Sequence, residues 1–454
     1  MTGINSPEKT LITGNLWHAI WIMSWPLILT TIANSLVGLV DVQVAGTLGA
    51  ATQAAVGLAE HVLFVFMLTI LSIGVGTTAL VARAFGASEE EEMVKAAGQS
   101  FLLSIMLGLA LAAVASLTAH FAMGYFSQSK EVLDSGRAYL AAYSFVLLPF
   151  SVTVIANAAF RAIGDSKTPL YIVSAMTAVN IAGDYLTVIY NWPVPGLGIR
   201  GMAYAALLGS GLGAVLALYF LHRSQLKPAL KALFPPDKKM LRRICNIGIP
   251  SAMQRLFWAL SVFVIFFILM GCPHSVQALA SWTIGMRVES LVFMPLMALS
   301  LSVSSIVGQN LGAGETARAY KAGWRVTGIG ILMMVAAALT LFFGAEQIAG
   351  SMTREPEALK YTSDYLRINA LAEPFLALAM ILAGALQGAG ETRTPMLLTI
   401  FTNWLIRIPL AYVLALPLKL GVTGVWWAMT ASIVIHGILM TLRYQAKDWI
   451  KEKI

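Results

Sequence analysis

Long apolar stretches alternate with short polar segments along the whole chain. Each stretch reaches the roughly 20 residues that a helix needs to cross the hydrocarbon core of a bilayer. Helices satisfy their own backbone hydrogen bonds in lipid, and the two-residue alternation of a membrane barrel is missing from the sequence. The pattern predicts an all-α integral membrane protein with twelve transmembrane helices, at 16–42, 54–82, 97–121, 138–160, 169–190, 200–222, 246–271, 280–307, 323–346, 365–387, 395–416 and 421–442.

The basic residues fall mainly on one side of these predicted spans. With a cytoplasmic N-terminus, 20 of the 30 Lys and Arg residues lie in cytoplasmic segments, seven lie outside and three lie within spans. Cytoplasmic loops of membrane proteins carry such an excess. We therefore expect both termini in the cytoplasm of a multi-pass protein of the cell inner (plasma) membrane. The net charge of +8 then reflects topology, and no nucleic acid partner is expected.

Composition agrees with this pattern and excludes several classes of protein. Of 454 residues, 58% are hydrophobic and 11% are charged, whereas a soluble domain carries about 25% charged residues. The two cysteines form no CxxC motif and the six histidines are scattered, so neither a disulfide framework nor a zinc site is predicted. The sequence contains no phosphate-binding loop and no hydrolase motif. We expect no enzyme activity and no cofactor, only H⁺ or Na⁺ as a coupling ion.

The chain repeats itself at about half its length. The sequence that begins at Phe160, Phe-Arg-Ala-Ile-Gly-Asp-Ser-Lys-Thr-Pro, returns 226 residues later as Leu-Gln-Gly-Ala-Gly-Glu-Thr-Arg-Thr-Pro. Each half has six predicted spans, so both share one orientation, as in transporters with parallel repeats. We predict two six-helix lobes around a central cleft, which a monomer can supply. The predicted segments are an N-lobe at 1–222, a basic cytoplasmic linker at 223–245, a C-lobe at 246–442 and a cytoplasmic tail at 443–454.

Two aspartates lie within spans of the first half. A charge there costs about 2.5–3.5 kcal/mol on insertion scales, so such residues are candidates for function. Asp41 follows Asn34 by seven residues on one helix face, and Asp184 follows Asn180 by one turn. Two carboxylates close together in low dielectric cannot both ionise cheaply, which suits proton coupling, and with the Asn180 amide oxygen they could also ligate Na⁺. Asn180 and Asn157 could instead bridge helices.

The second half carries arginines within its spans. Alignment of Asn180-x-x-x-Asp184 with Asn403-x-x-x-Arg407 places an arginine where the first half has its acid, and Arg255 lies in the seventh span. Arg407 is either an ion-pair partner of a carboxylate such as Glu289 or, with Arg255, part of a substrate cavity. Asn34 and Asn157 are the candidate cavity residues of the first half. Four further charges lie near span ends, where long side chains can reach the membrane surface: Glu60, Arg287, Glu289 and Glu373.

These features resemble the multidrug and toxic compound extrusion (MATE) transporters over essentially the whole chain. The resemblance is carried by the repeat, the first helix from Pro26 to Asp41, the paired Gly-Asp-Ser-Lys-Thr-Pro and Gly-Glu-Thr-Arg-Thr-Pro loops, and Asn180-x-x-x-Asp184. Within the family, Asp41, Asp184, Asn180 and Tyr139 resemble the DinF-like branch. The resemblance implies H⁺ or Na⁺ antiport of cationic or amphipathic drugs, and a first helix that bends near Pro26 when its aspartate is protonated.

Two positions depart from the family pattern. The tyrosine expected one turn before the first-span aspartate is Val37, and the threonine expected in the sixth span is Ala206. The loss of this hydroxyl weakens a Na⁺ site more than a proton site. We therefore predict an exporter that couples to H⁺ in preference to Na⁺ through Asp41 and Asp184. A lipid or lipid-linked-precursor flippase with an arginine-lined groove is the alternative, and a channel or structural membrane protein is a more remote one.

Overall fold

The computed structural model describes residues 10–126 and 129–451, apart from the side chains of residues 50, 60–61, 120–126 and 131. The predicted span-end acid Glu60 thus lies outside the described side chains. The chain divides into two compact units. The first comprises the described part of Met1–Thr13 with Trp21–Ile249, and the second comprises Gly14–Ile20 with the described part of Pro250–Ile454. The predicted lobe boundaries stay predictions.

The described residues are helical and contain no β-strand, which confirms the predicted all-α class. In the first half the helices are α1 (Thr10–Thr13), α2 (Leu16–Thr47), α3 (Ala50–Gly86), α4 (Glu90–Phe126), α5 (Lys130–Tyr143), α6 (Leu147–Ala162), α7 (Lys167–Asp184) and α8 (Ile199–Arg223). In the second half they are α9 (Lys238–Met270), α10 (Ser275–Gly312), α11 (Thr316–Met352), α12 (Pro356–Ala370), α13 (Glu373–Gly388), α14 (Arg393–Ile400), α15 (Ile408–Ala415) and α16 (Gly421–Gln445).

Eleven candidate spans among the described residues are long and apolar enough to cross a membrane, and a bent pair of helices makes a twelfth. The bent pair is α12 with α13, which meet at 55°, so the tenth predicted span is not one straight helix. Pro374 stands in the first turn of α13. A proline there lacks an N–H donor, and its ring excludes the helical carbonyl four residues earlier, that of Ala370, where α12 ends.

The repeated loop motif forms the same turn in both halves. After α6, Gly164 has φ 92°, and the Asp165 N–H donates to the Phe160 carbonyl at 2.9 Å. After α13, Gly390 has φ 91°, and the Glu391 N–H donates to the Leu386 carbonyl at 2.9 Å. Such a bond closes a helix around one left-handed residue, which glycine adopts without strain. The sequence repeat is therefore a structural repeat.

The serine of the first motif supports the proline in α2. Pro26 has no N–H, which leaves the Ile22 carbonyl without its helical donor. The Ser166 hydroxyl donates to this carbonyl at 2.8 Å, and the Thr30 hydroxyl donates to the Pro26 carbonyl at 2.7 Å. The helix thus remains continuous through Pro26. The predicted hinge residue lies at a point where a side chain from another helix replaces a backbone donor.

The linker that follows α8 is bound to the N-terminal part of α4. The Gln99 side-chain amide donates to the carbonyls of Ala232, Leu233 and Pro235 at 2.8, 3.3 and 3.2 Å. Its oxygen accepts from the Asp237 N–H at 2.9 Å. A Cβ at Gly98 would lie 2.7 Å from the Ala229 carbonyl oxygen, so this close approach requires glycine.

Two ion pairs flank this contact. Lys95 Nζ lies 2.5 Å from Asp237 Oδ2, and Arg243 pairs with Glu92. The hydrogen bond from Lys95 lowers the pKa of Asp237 to about 2. Because its pKa is depressed, this carboxylate contributes stability above its ordinary pKa and loses it only as pH falls toward 2. The Lys95–Asp237 pair therefore keeps both charges in the pH range of transport assays.

We expect Gly98→Ala to destabilise the protein, because the new methyl group cannot fit between α4 and the linker backbone. Overpacking of this kind costs about 1–3 kcal/mol. The measurement is the thermal unfolding midpoint of the detergent-solubilised protein. Gly328→Ala on α11 is the matched control, since a Cβ there would have no atom within 4 Å. Equal midpoints for the two variants would contradict the docked linker.

Candidate functional site

The α7 helix places two predicted site residues in the interior of the first unit. Asn180 is 6% exposed and Asp184, one turn later, is 0% exposed. Both are buried because α8 packs very close to this face. A Cβ at Gly183 would lie 2.7 Å from the Cβ of Ala205, and one at Gly209 would lie 3.2 Å from the Cβ of Asn180. Interfaces of small residues let membrane helices approach in this way.

Asp41 on α2 meets Asp184 on α7. The two carboxyl groups lie within hydrogen-bonding range of each other. Desolvation and mutual repulsion disfavour two charges at this separation, so the arrangement favours a state in which the pair holds one proton or a cation. The structure thus brings together the two acids that the sequence singles out.

The acceptors around this pair lack protein donors. Apart from the Asp41 carboxyl, no donor in the described part of the chain reaches either oxygen of Asp184. The side-chain oxygens of Asn180 and Asn157 are also buried without a donor. Buried polar atoms are almost always hydrogen-bonded, so unsatisfied acceptors need an explanation. Such oxygens can receive a proton, a hydrated proton or a small cation.

The remaining predicted residues of the first half lie at different depths. Tyr139 on α5 is 1% exposed and belongs to a buried cluster with Val188, which lies one turn after Asp184. Val40, directly before Asp41, packs against this cluster. Asn157 on α6 is buried. Asn34 on α2 is exposed.

A π-helical segment interrupts the helix next to the candidate site in each half. Tyr185–Ile189 follows Asp184 directly, and Phe401–Arg407 ends at Arg407, the aligned position. One-turn π segments are rare and occur frequently at functional sites. The sequence analysis did not predict them, because nothing in local composition distinguishes a π turn from an α turn.

Arg407 occupies a polar cluster in the second unit. Its Nε donates to the Ser432 hydroxyl at 2.8 Å, and the Glu289 carboxylate lies close enough to interact electrostatically. The Tyr365 hydroxyl donates to Glu289 Oε2 at 2.8 Å. Arg407 and Glu289 are therefore close to each other. Among the described residues, however, these two do not form an ion pair within 4.0 Å.

Glu373 lies inside the second unit. The sequence analysis noted that its side chain can reach the membrane surface, whereas in the structure it is 4% exposed, and its Oε2 has no partner among the described residues. Glu289 lies near enough to repel it electrostatically. Glu373 begins α13 at the bend between α12 and α13, directly before Pro374.

The arginines of the second half do not share one environment. Arg407 is 9% exposed and lies beside Glu289, whereas Arg287 is exposed. Arg255 on α9 is partly buried. A flippase groove would need these side chains to line one surface together, whereas the three arginines differ in exposure.

Comparison with known proteins places this architecture among established ones. The family described as MatE matches residues 26–186 and 250–413. A probable multidrug resistance protein NorM of Thermotoga maritima is 26% identical over 95% of this chain and 93% of the relative. The multidrug resistance protein NorM of Burkholderia vietnamiensis is 26% identical over 93% and 92%. A solved outward-facing multidrug resistance MATE family transporter of the MOP superfamily shares the fold, with TM-score 0.91 over 99% and 100% at 21% identity.

We expect Arg407→Leu to destabilise the second unit, because Glu289 would lose its neighbouring cation while remaining partly buried. Because the two groups interact without forming an ion pair within 4.0 Å, we expect the cost of an unsatisfied buried polar group, about 1–3 kcal/mol. The thermal unfolding midpoint should fall for Arg407→Leu and recover in Arg407→Leu/Glu289→Gln. Arg287→Leu, an exposed arginine on α10, is the control and should leave the midpoint near that of the unmodified protein. A double variant as unstable as Arg407→Leu would contradict this electrostatic account.

Proposed function

Because this chain belongs to the MATE family of transporters, we propose that it exports cationic or amphipathic small molecules from the cell by antiport with H⁺. The relatives named as multidrug resistance proteins support the class of substrate. The pairing of Asp41 with the buried Asp184, whose oxygens have no other donor among the described residues, supports the coupling ion.

The carboxyl pair can couple two ligands because both ligands neutralise it. When a proton enters from the outer side, the pair loses its negative charge and its attraction for an organic cation. When the proton leaves to the cytoplasm, the charge returns and favours the next cation. Each ligand therefore weakens binding of the other by the same factor, as linkage requires.

Proton coupling is preferred to Na⁺ coupling on chemical grounds. A Na⁺ ion needs several oxygen ligands, and those near Asp184 are the carboxylates and the Asn180 amide. The position on α8 where the family resemblance implies a threonine is Ala206, which has no oxygen in its side chain. A proton needs one acceptor and a neighbour that shares it, which the carboxyl pair supplies.

The direct test is efflux of a fluorescent organic cation from proteoliposomes under an imposed pH gradient or an imposed Na⁺ gradient. We expect the pH gradient alone to drive efflux. Asp41→Asn and Asp184→Asn should reduce the rate to that of protein-free liposomes, because an amide cannot bind the coupling proton. Asp134→Asn, which changes an exposed acid on α5, should transport normally. Efflux driven by Na⁺ alone would replace the proton by sodium, and efflux by neither would refute antiport.

Equilibrium binding gives a second, independent test of the shared site. In the unmodified protein, affinity for the cation should fall as pH falls, since protons then occupy the carboxyl pair. In Asp41→Asn the affinity should be weaker and should depend much less on pH. If Asp41→Asn retains the full pH dependence of binding, the ion and the substrate do not compete at this pair.

A further inference from the structure

The face of α8 that touches α7 consists of small residues spaced four apart: Gly201, Ala205, Gly209 and Gly213. All four are buried. A Cβ at Gly201 would lie 2.7 Å from Thr187 Oγ1, and a Cβ at Gly209 would lie 2.9 Å from the Met176 carbonyl oxygen. Real Cβ atoms do not approach other atoms so closely. The separation of the two helices is therefore set by the absence of side chains on α8.

The second half has the same stripe with two substitutions. At 223 residues later, the four positions on α16 are Gly424, Ala428, Ser432 and His436. Ser432 and His436 replace the glycines at 209 and 213. Ser432 accepts the hydrogen bond from Arg407, and His436 Nδ1 lies 3.3 Å from the Thr402 hydroxyl. The two positions that are glycine in the first half thus carry polar side chains, Ser432 and His436, in the second half.

The two halves therefore surround the aligned residues Asp184 and Arg407 differently. In the second half, the Ser432 hydroxyl on α16 accepts a hydrogen bond from the permanently charged Arg407. In the first half, the last helix offers no side-chain donor at position 209, and the oxygens of Asn180 and Asp184 remain without one in the described chain. A serine at position 209 would lie next to the Asn180 Cβ.

We propose that Gly209 is a positioning residue for ion coupling, which holds Asn180 and Asp184 beside Asp41 and keeps a competing donor out of the site. This inference rests on the proposed function. Without a side chain at 209, α7 lies close enough for the Asp184 carboxyl to share a proton with Asp41. Without a hydroxyl there, the coupling ion is the group that satisfies the buried acceptors.

Asp41 is the charged group that faces Asp184 within the described first unit. It comes from α2. The α6 helix contributes the neutral Asn157, and α8 contributes the small-residue stripe. Tyr139 on α5 shares the buried cluster around Val188. A change at Gly209 therefore adds or removes no charge near the carboxyl pair, so an effect on pH dependence would act through position and hydrogen bonding.

The test compares Gly209→Ala, Gly209→Ser and Gly211→Ala for efflux from proteoliposomes at a series of pH values. Gly211 is on the same helix, but a Cβ there has no atom within 4 Å, so its variant is the matched control. We expect Gly209→Ala to shift the pH of half-maximal efflux by about one unit toward acid, since separated carboxyl groups share a proton less well. Gly209→Ser should shift it further, because its hydroxyl competes with the proton for the same oxygens.

A rescue pair keeps the test decisive if the Gly209 variants do not fold. Gly183→Ala places a methyl group 2.7 Å from the Cβ of Ala205, next to Asp184, and should also shift the pH profile toward acid. Ala205→Gly removes that opposing methyl group. The double variant should return the profile toward that of the unmodified protein. A merely structural defect would lower the amount of active protein without moving the pH profile.

The outcomes separate this inference from the proposed function. If Asp184→Asn keeps the normal pH dependence of efflux, the proposed function fails. If Asp184→Asn abolishes it while Gly209→Ala and Gly183→Ala shift the profile no more than Gly211→Ala, the positioning role alone is overturned. A Gly209→Ser shift no larger than that of Gly209→Ala would overturn the role in excluding a donor.

Discussion

Two carboxyl groups that face each other away from water cannot both carry a charge at low cost. Asp184 is fully buried, Asp41 is half-buried, and their carboxyl groups lie within hydrogen-bonding range of each other. Desolvation at this point therefore disfavours a state in which both groups are charged. Much of the first unit can be understood as holding these two groups together, since a separation of a few ångströms would let each be solvated independently.

The helices that carry the pair are positioned by backbone contacts more than by bulky side chains. The Ser166 hydroxyl replaces the donor that Pro26 removes from α2, and Ser166 itself begins α7. One residue thus connects the two helices that bear Asp41 and Asp184. Along α7, glycines let α8 approach to contact distance.

The sequence predicted the features that depend on composition and periodicity. The all-α class, the spans and the family were confirmed, because hydropathy determines helices in lipid and the repeated motif forms a turn that requires glycine. It also singled out Asp41 and Asp184, since an acid in an apolar span is conspicuous. It missed the buried position of Glu373 at the bend between α12 and α13, and it missed both π segments. Those features depend on how helices pack, which one sequence without its structure does not specify.

The comparison of the two halves shows how one scaffold can hold opposite charges. At the aligned positions, Asp184 and Arg407 follow asparagines by one turn, beside π segments that occupy similar places. What differs is the neighbouring helix, where glycine in one half corresponds to serine in the other. The Ser432 hydroxyl accepts a hydrogen bond from Arg407, whereas Gly209 has no side chain that could bind its neighbours on α7. The aligned positions 209 and 432 therefore mark a point where the two halves differ in hydrogen-bonding capacity, because one residue has a hydroxyl and the other has none.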